Sequence, residues 1–203
     1  QEYMLNPLLV SGRKFDIRIF VIVTMNRKRK ENQLNAYLFR DGYIRTSCSK
    51  YSLNDLSNRE CHLTNDAIQK KAKNYGKFES GNKLSFDEWQ EQINRDYKNA
   101  PSNVVDNQIR PAIRDLCAIS IQAAAGKLKK STINRSFEIL GYDFMIDAHY
   151  VPTLIEINSN PCLDFSSPLL EELISNMIDN AFRVGLDENF LPPNEANRTK
   201  ATT

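Results

Sequence analysis

The stretch LIEINSNPCL, residues 154–163, places an acid and two amides at every second position of an otherwise apolar run. Successive side chains of a strand point to opposite faces, so Glu156, Asn158 and Asn160 share one face and Ile155 and Ile157 take the other. The spacing predicts a strand whose apolar face meets the core and whose polar face needs a use. Residues 14–24, KFDIRIFVIVT, make the same demand more strongly. Lys14, Asp16 and Arg18 alternate with Phe15, Ile17 and Ile19, and the run then becomes apolar on both faces, as in a strand that is half buried at one end and fully buried at the other.

The rest of the chain reads as further elements around these two strands. AYLFR and YIRTS follow a polar turn over residues 26–35 and are separated by an Asp41-Gly42 turn, which predicts an antiparallel region. Residues 52–82 read as loop, with HLTNDAIQ as their densest patch. Ser85 with Glu88 three residues later is a capping box, and Phe86, Trp89 and Ile93 form the stripe of the helix it starts. A second helix is expected from Pro111 through Ile113, Leu116, Cys117, Ser120 and Ala124, largely buried. YDFMID and LIEIN predict a hairpin, and Ser167-Pro168 opens a last helix with a packing stripe that ends before Gly185. The stretch PNEANRTKATT, 193–203, is too polar to bury a core and is expected to be disordered.

Composition narrows the function classes. With 27 basic and 25 acidic residues in 203, the formal charge of +2 gives no overall pull toward nucleic acid or membrane. Cys48, Cys61, Cys117 and Cys162 show no C-x-x-C spacing, against a zinc knuckle or disulfide framework, and a reducing cytosol suits them. No signal peptide or long apolar run is present, and Gln1 opens the sequence inside what reads as a structured segment, as in a piece of something longer. Neither a Walker-type glycine loop nor G-x-G-x-x-G occurs.

Three groups of residues can carry chemistry. Lys14, Asp16 and Arg18 form either a solvated edge with weak ion pairs, worth about 0–1 kcal/mol each, or the lining of a cleft; the apolar continuation of their strand favours the cleft. If the hairpin pairs residues whose numbers sum to an odd value, Asp147, Glu156 and Asn158 face one side. Two carboxylates and an amide oxygen suit Mg²⁺, and a hydrogen-bonded pair at a sheet end is the plainer alternative. Arg45, Thr64 and Asn65 are weak signals alone, and His62 reads as a structural histidine. Arg27–Lys30 and KLKK at 127–130 read as solvated charge, with an anionic partner the sharper alternative.

Taken together and in order, PLLVSGRKFDIRIFVIVT, YLFRDGYIRTS, HLTNDAIQK, LGYDFMID and LIEINSNPCL resemble the tubulin tyrosine ligase-like family of ATP-grasp ligases. The resemblance extends over residues 1–192 and implies an α+β ATP-grasp fold, an antiparallel sheet with flanking helices, lacking the family's N-terminal part. It implies ATP and Mg²⁺ as cofactors. By position, Gln1, Glu2, Tyr3 and Met4 resemble the adenine hinge, and Lys14, Asp16, Arg18, Thr64 and Asn65 resemble nucleotide contacts. Arg45 resembles a binder of the amino acid or acyl phosphate. Asp147, Glu156 and Asn158 resemble the metal ligands, with Glu156 and Arg45 the catalytic pair.

The reaction so implied is ATP-dependent amide or isopeptide bond formation through an acyl phosphate. Tubulin or microtubules, through acidic C-terminal tails, and a free amino acid are the implied partners, with neither nucleic acid nor membrane. Glutamate is the first expectation for that amino acid because glutamylases are the family's largest group, and glycine and tyrosine remain open. A catalytically inactive microtubule-binding relative and a peptide ligase acting on another acceptor are the competing classes. The implied location is the cytoplasm and its microtubules, extending to the cilium and basal body. The chain alone is expected to be inactive, since part of the nucleotide cradle would lie upstream.

Overall fold

The computed structural model describes residues 1–28, 31–128 and 135–186. Arg29, Lys30, Lys129, Lys130 and the 193–203 tail lie outside the described residues, and with them the core of both basic runs. Five strands make one sheet: β1 (Arg13–Lys28), β2 (Glu31–Lys50), β3 (Lys83–Leu84), β4 (Arg135–Ile146) and β5 (Pro152–Asn158), in the order β3-β2-β1-β4-β5 with every neighbouring pair antiparallel. This is the antiparallel α+β architecture that the sequence leads one to expect. The polar residues 26–28 and 31–35, expected as a turn, continue the β1–β2 ladder out to the pair Lys28 and Glu31.

Asp41-Gly42 is likewise no turn. β2 runs straight through it, and two extra residues bulge out where the register slips from Ile19 opposite Gly42 to Val21 opposite Leu38. Gly42 is needed there for space: a Cβ would stand 2.5 Å from both the Arg18 carbonyl oxygen and Ile19 Cδ1.

The helices are α1 (Arg59–His62), α2 (Asp66–Gln69), α3 (Phe86–Asp96), α4 (Arg110–Leu128) and α5 (Pro168–Gly185). Ser85 Oγ accepts from the Glu88 amide at 3.2 Å while Glu88 Oε2 accepts from the Ser85 amide at 2.7 Å, completing the capping box. Ser85→Ala is expected to cost about 1 kcal/mol, read as a lower denaturant midpoint with an unchanged slope. The second long helix begins before Pro111: a wide turn over Val105–Ile109, with the Arg110 amide bonded to the Val105 carbonyl, leads into α4. It is also not largely buried, since only Ile113 and Cys117 are buried along α4 and Ile119 is 61% exposed.

Two apolar layers sandwich the sheet. Phe15, Ile17, Ile19, Val21, Ile44, Tyr142 and Phe144 pack against Trp89, Ile93, Ile109 and Ile113 of the α3–α4 side. On the opposite face Phe20, Ile22 and Tyr43 pack under Leu170, Leu173, Ile174, Met177 and Ala181, so the α5 stripe is packing as expected. Along β1 the even-numbered face therefore changes from charged to apolar between Arg18 and Phe20. α5 covers the apolar half, and the charged half is left as the floor of a cleft.

Candidate active site: the charged half of the sheet

A ladder of charge crosses the sheet floor at this point. Asp16 is directly opposite Arg45, Arg18 lies between Tyr43 and Asp143, Asp143 lies opposite Glu156, and Arg45 lies opposite Lys83. Arg18 grips Asp143 with two bonds, Nε to Oδ1 at 2.5 Å and Nη2 to Oδ2 at 2.9 Å. Arg45 grips Asp16 through Nε at 2.6 Å and Nη2 at 2.9 Å, and the same Nη2 reaches Asp143 Oδ2 at 2.8 Å. Thr64 Oγ1 donates to Asp16 Oδ2 at 2.5 Å. Arg18, Arg45 and Asp143 are all buried.

The electrostatics follow from that burial. Burial alone would raise the Asp143 pKa, but the Arg18 hydrogen bond and the charges of Arg45 and Arg18 outweigh it and hold the carboxyl below the usual carboxylate range. Burial likewise works against the Arg45 charge, and Asp16 beside it more than compensates. For Lys14 burial wins: its pKa is lowered although Asp16 pulls the other way. Burial pushes Tyr43, at the end of the Arg18 rung, up to about 12.

The cleft above this floor holds about 670 Å³, within the range of small-molecule sites. Lys14, Asp16, Arg18, Arg45, Thr64, Asn65, Glu156 and Asn158 all line it, so the fold brings these sequence candidates together. A larger groove of about 990 Å³ runs between β2 and α5. It lacks the charge ladder, and chemistry rather than size selects the cleft.

Of the three metal candidates, Asp147 is the one that the fold places elsewhere. It lies past the end of β4, where its Oδ1 accepts from the His149 amide at 2.8 Å and the Val151 amide at 2.9 Å, tying the β4–β5 turn. It does not line the cleft. Asp143 instead takes the place expected of Asp147 on the Glu156 and Asn158 side, directly opposite Glu156. The odd-sum register was the available signal, because it pairs Asp143 with Glu156 directly, and a bulge at Ile155 breaks that parity toward the turn.

The same bulge corrects the expectation for Ile155 and Ile157. Ile155 lines the cleft and Ile157 is 43% exposed, since β5 ends the sheet. Gln1, Glu2, Tyr3 and Met4 stand outside the cleft lining, with Gln1 Nε2 donating to the Ile155 carbonyl at 2.7 Å. Arg45, a weak signal in the sequence, is a buried clamp in mid-strand of β2.

Sequence reasoning also missed Lys83 and Asp66. Lys83 Nζ donates to Asp66 Oδ1 at 2.6 Å, and Ser166 Oγ donates to Asp66 Oδ2 at 3.4 Å, joining β3, α2 and the loop before α5. Only the register could have pointed to Lys83, by setting it across from Arg45.

Gly141 lets the roof close. A Cβ there would stand 2.8 Å from Pro161 Cβ and 3.3 Å from Arg18 Nη1. Gly141→Ala is therefore expected to push aside the cleft wall or Arg18 at about 1–3 kcal/mol, measured as a lower melting temperature.

No group of three His, Cys, Asp or Glu side chains suited to a metal occurs among the described residues. A mixed set remains: Asp143 opposite Glu156, and Asn158 on the same strand face with its Nδ2 at 3.1 Å from Glu156 Oε1. Two carboxylates and an amide oxygen fit a hard cation that keeps ligands from elsewhere.

These features define an α+β protein with a charged, partly buried cleft on one half of an antiparallel sheet. The chain belongs to the tubulin-tyrosine ligase family, whose profile matches residues 1–198. It is 35% identical over 191 residues to Tubulin glycylase 3D of Tetrahymena thermophila, covering 92% of this chain and 17% of that protein. It is 33% identical over 188 residues to Probable tubulin polyglutamylase TTLL9 of Mus musculus, covering 91% and 37%. Over 198 residues it is 30% identical to Tubulin glycylase 3B of Drosophila melanogaster, covering 96% and 24%. The chain thus spans well under half the length of each of these relatives.

Proposed function

We propose that this chain supplies the nucleotide- and metal-binding part of an ATP-grasp ligase that joins an amino acid to tubulin. The observation that carries the reading is the Arg45–Asp16 and Arg18–Asp143–Glu156 ladder, bonded guanidinium–carboxylate pairs that end in two neighbouring acids open to a cleft on one side. Glutamate and glycine stand on equal footing as the transferred amino acid, because relatives named polyglutamylase and glycylase both match at comparable identity.

In this reading an acceptor carboxylate attacks the γ-phosphate of ATP, ADP leaves, and the amine of the amino acid then displaces phosphate from the acyl phosphate. Asp143, Glu156 and Asn158 would hold Mg²⁺, which when bound neutralises phosphate charge. Arg18 and Arg45 set fixed positive charge along the floor, where it needs no reorganisation as the phosphoryl group moves, and Lys14 is a contact for the bound nucleotide. Asp16 and Asp143 keep the two guanidinium groups in place. Thr64 and Asn65 form the wall that a nucleotide would meet. Such an enzyme would work on the cytoplasmic microtubule cytoskeleton.

The test is ATP-dependent transfer of labelled glutamate, glycine and tyrosine to microtubules by the full-length protein. Incorporation of one of them that requires both ATP and Mg²⁺ is the expected result and identifies the amino acid. Microtubule binding with no incorporation of any of the three would overturn the reading in favour of an inactive binding protein.

A further inference from the structure

Lys14, on the same face of β1 as Asp16 and Arg18, takes its partners from outside the sheet. Its ammonium is buried, donates to the His62 carbonyl at 2.9 Å and to Tyr3 Oη at 3.5 Å, and lies 4.6 Å from the centroid of the Tyr3 ring. Tyr3 Oη is in turn 2.7 Å from His62 Nδ1, and His62 Nε2 is 2.9 Å from the Asp55 carbonyl oxygen. A carbonyl only accepts, so Nε2 carries the imidazole proton and Nδ1 accepts the Tyr3 hydroxyl proton. The lone pairs of Tyr3 Oη are then directed to the Lys14 ammonium. The Tyr51 ring braces His62 edge-on at 5.9 Å, while its hydroxyl donates to the Leu5 carbonyl at 3.0 Å.

We propose that Tyr3 and His62 are positioning residues for Lys14, a clamp that presents the ammonium to the nucleotide. The inference rests on the reading of Lys14 as a nucleotide contact. Without the Nδ1 acceptor the Tyr3 hydroxyl loses the partner that orients it, and Lys14 keeps only the His62 carbonyl.

The role differs from that of a strut in its kinetic signature. Loss of the clamp displaces a binding group and leaves the phosphoryl-transfer residues in place, so the KM for ATP rises and kcat stays nearly constant. Tyr3→Phe keeps the ring over the ammonium and removes only the hydroxyl. His62→Gln removes the ring and its Nδ1 acceptor.

The experiment measures ATP affinity by calorimetry, and the KM for ATP and kcat for amino-acid transfer. It uses the full-length wild-type protein and both variants, with melting curves for each. In His62→Gln the KM for ATP is expected to be raised about tenfold at nearly unchanged kcat, the effect of one charge-assisted hydrogen bond. Tyr3→Phe, at a residue 39% exposed and therefore safe for folding, is expected to show a smaller rise in KM at unchanged kcat. Variants that bind ATP as the wild type does, or that lose kcat with KM unchanged, overturn the clamp and leave the proposed function standing. A wild-type protein that binds no ATP overturns both.

Discussion

Asp143→Asn in the full-length protein is expected to lower the melting temperature by about 10 °C and to abolish ATP-dependent transfer. The carboxylate is buried and bonded by both Arg18 and Arg45, so its loss leaves two guanidinium groups facing an amide that cannot neutralise them. Removing one partner of such a buried pair costs about 3–5 kcal/mol, and each kcal/mol moves the midpoint of a domain this size by about 2–4 °C. The pH dependence has a definite sign. Because the folded carboxyl titrates below its usual range, its contribution is fully present above that range and is lost as pH falls through the depressed value. Acid melts of the wild type should therefore steepen below the ordinary carboxylate range, and Asp143→Asn should flatten that part of the curve. A variant that melts with the wild type and retains transfer would remove Asp143 from the account.

Glu156→Gln is expected to give the opposite pattern, an intact fold with no turnover. Glu156 is exposed, its one side-chain hydrogen bond among the described residues comes from Asn158, and the amide has nearly the same size. The melt without ligand should stay near wild type, while the stabilisation given by Mg²⁺ and ATP should shrink. Transfer should fall by at least about 100-fold, the order found when one preorganised electrostatic contact is removed. A low melt without ligand combined with surviving transfer would make Glu156 a strut. Together the two variants separate the ladder's buried, structural end from its open end.

The difference between these two acids also shows what the sequence could and could not reveal. Alternation alone located β1 and β5 and set Lys14, Asp16 and Arg18 on one face with a charged-to-apolar change after Arg18. That pattern is local, and the strand period of two carries it. Asp143 and Asp147 are both acids of one short run, and alternation puts them on the same face. Choosing between them needed the place where β4 ends and turns, which depends on the bulge at Ile155 and on the Asp147 hydrogen bonds to the turn amides. Gly42 misled for a related reason: Asp-Gly favours a hairpin turn, but here the glycine serves close approach to the Arg18 carbonyl. Lys83 and Asp66 had no local signal at all, because their meaning comes from pairing across the sheet.

Family membership was legible because several short blocks occur in one order. Which amino acid is transferred was not, since glycylases and polyglutamylases match the chain alike. The cleft explains why. On the proposed reading the ladder deals with phosphate and metal, a task common to the whole reaction class and independent of which amine arrives.

Where the nucleotide sits decides between the cleft and the larger groove, and photolabelling of the full-length protein with an azido-ATP in the presence of Mg²⁺, followed by peptide mapping, tests this most directly. Label that is displaced by ATP is predicted on peptides containing Lys14 to Arg18, Thr64 to Asp66 or Asp143 to Asn158. Displaceable label on the larger groove instead, at Tyr37 to Asp41 of β2 or Leu169 to Asn180 of α5, would contradict it.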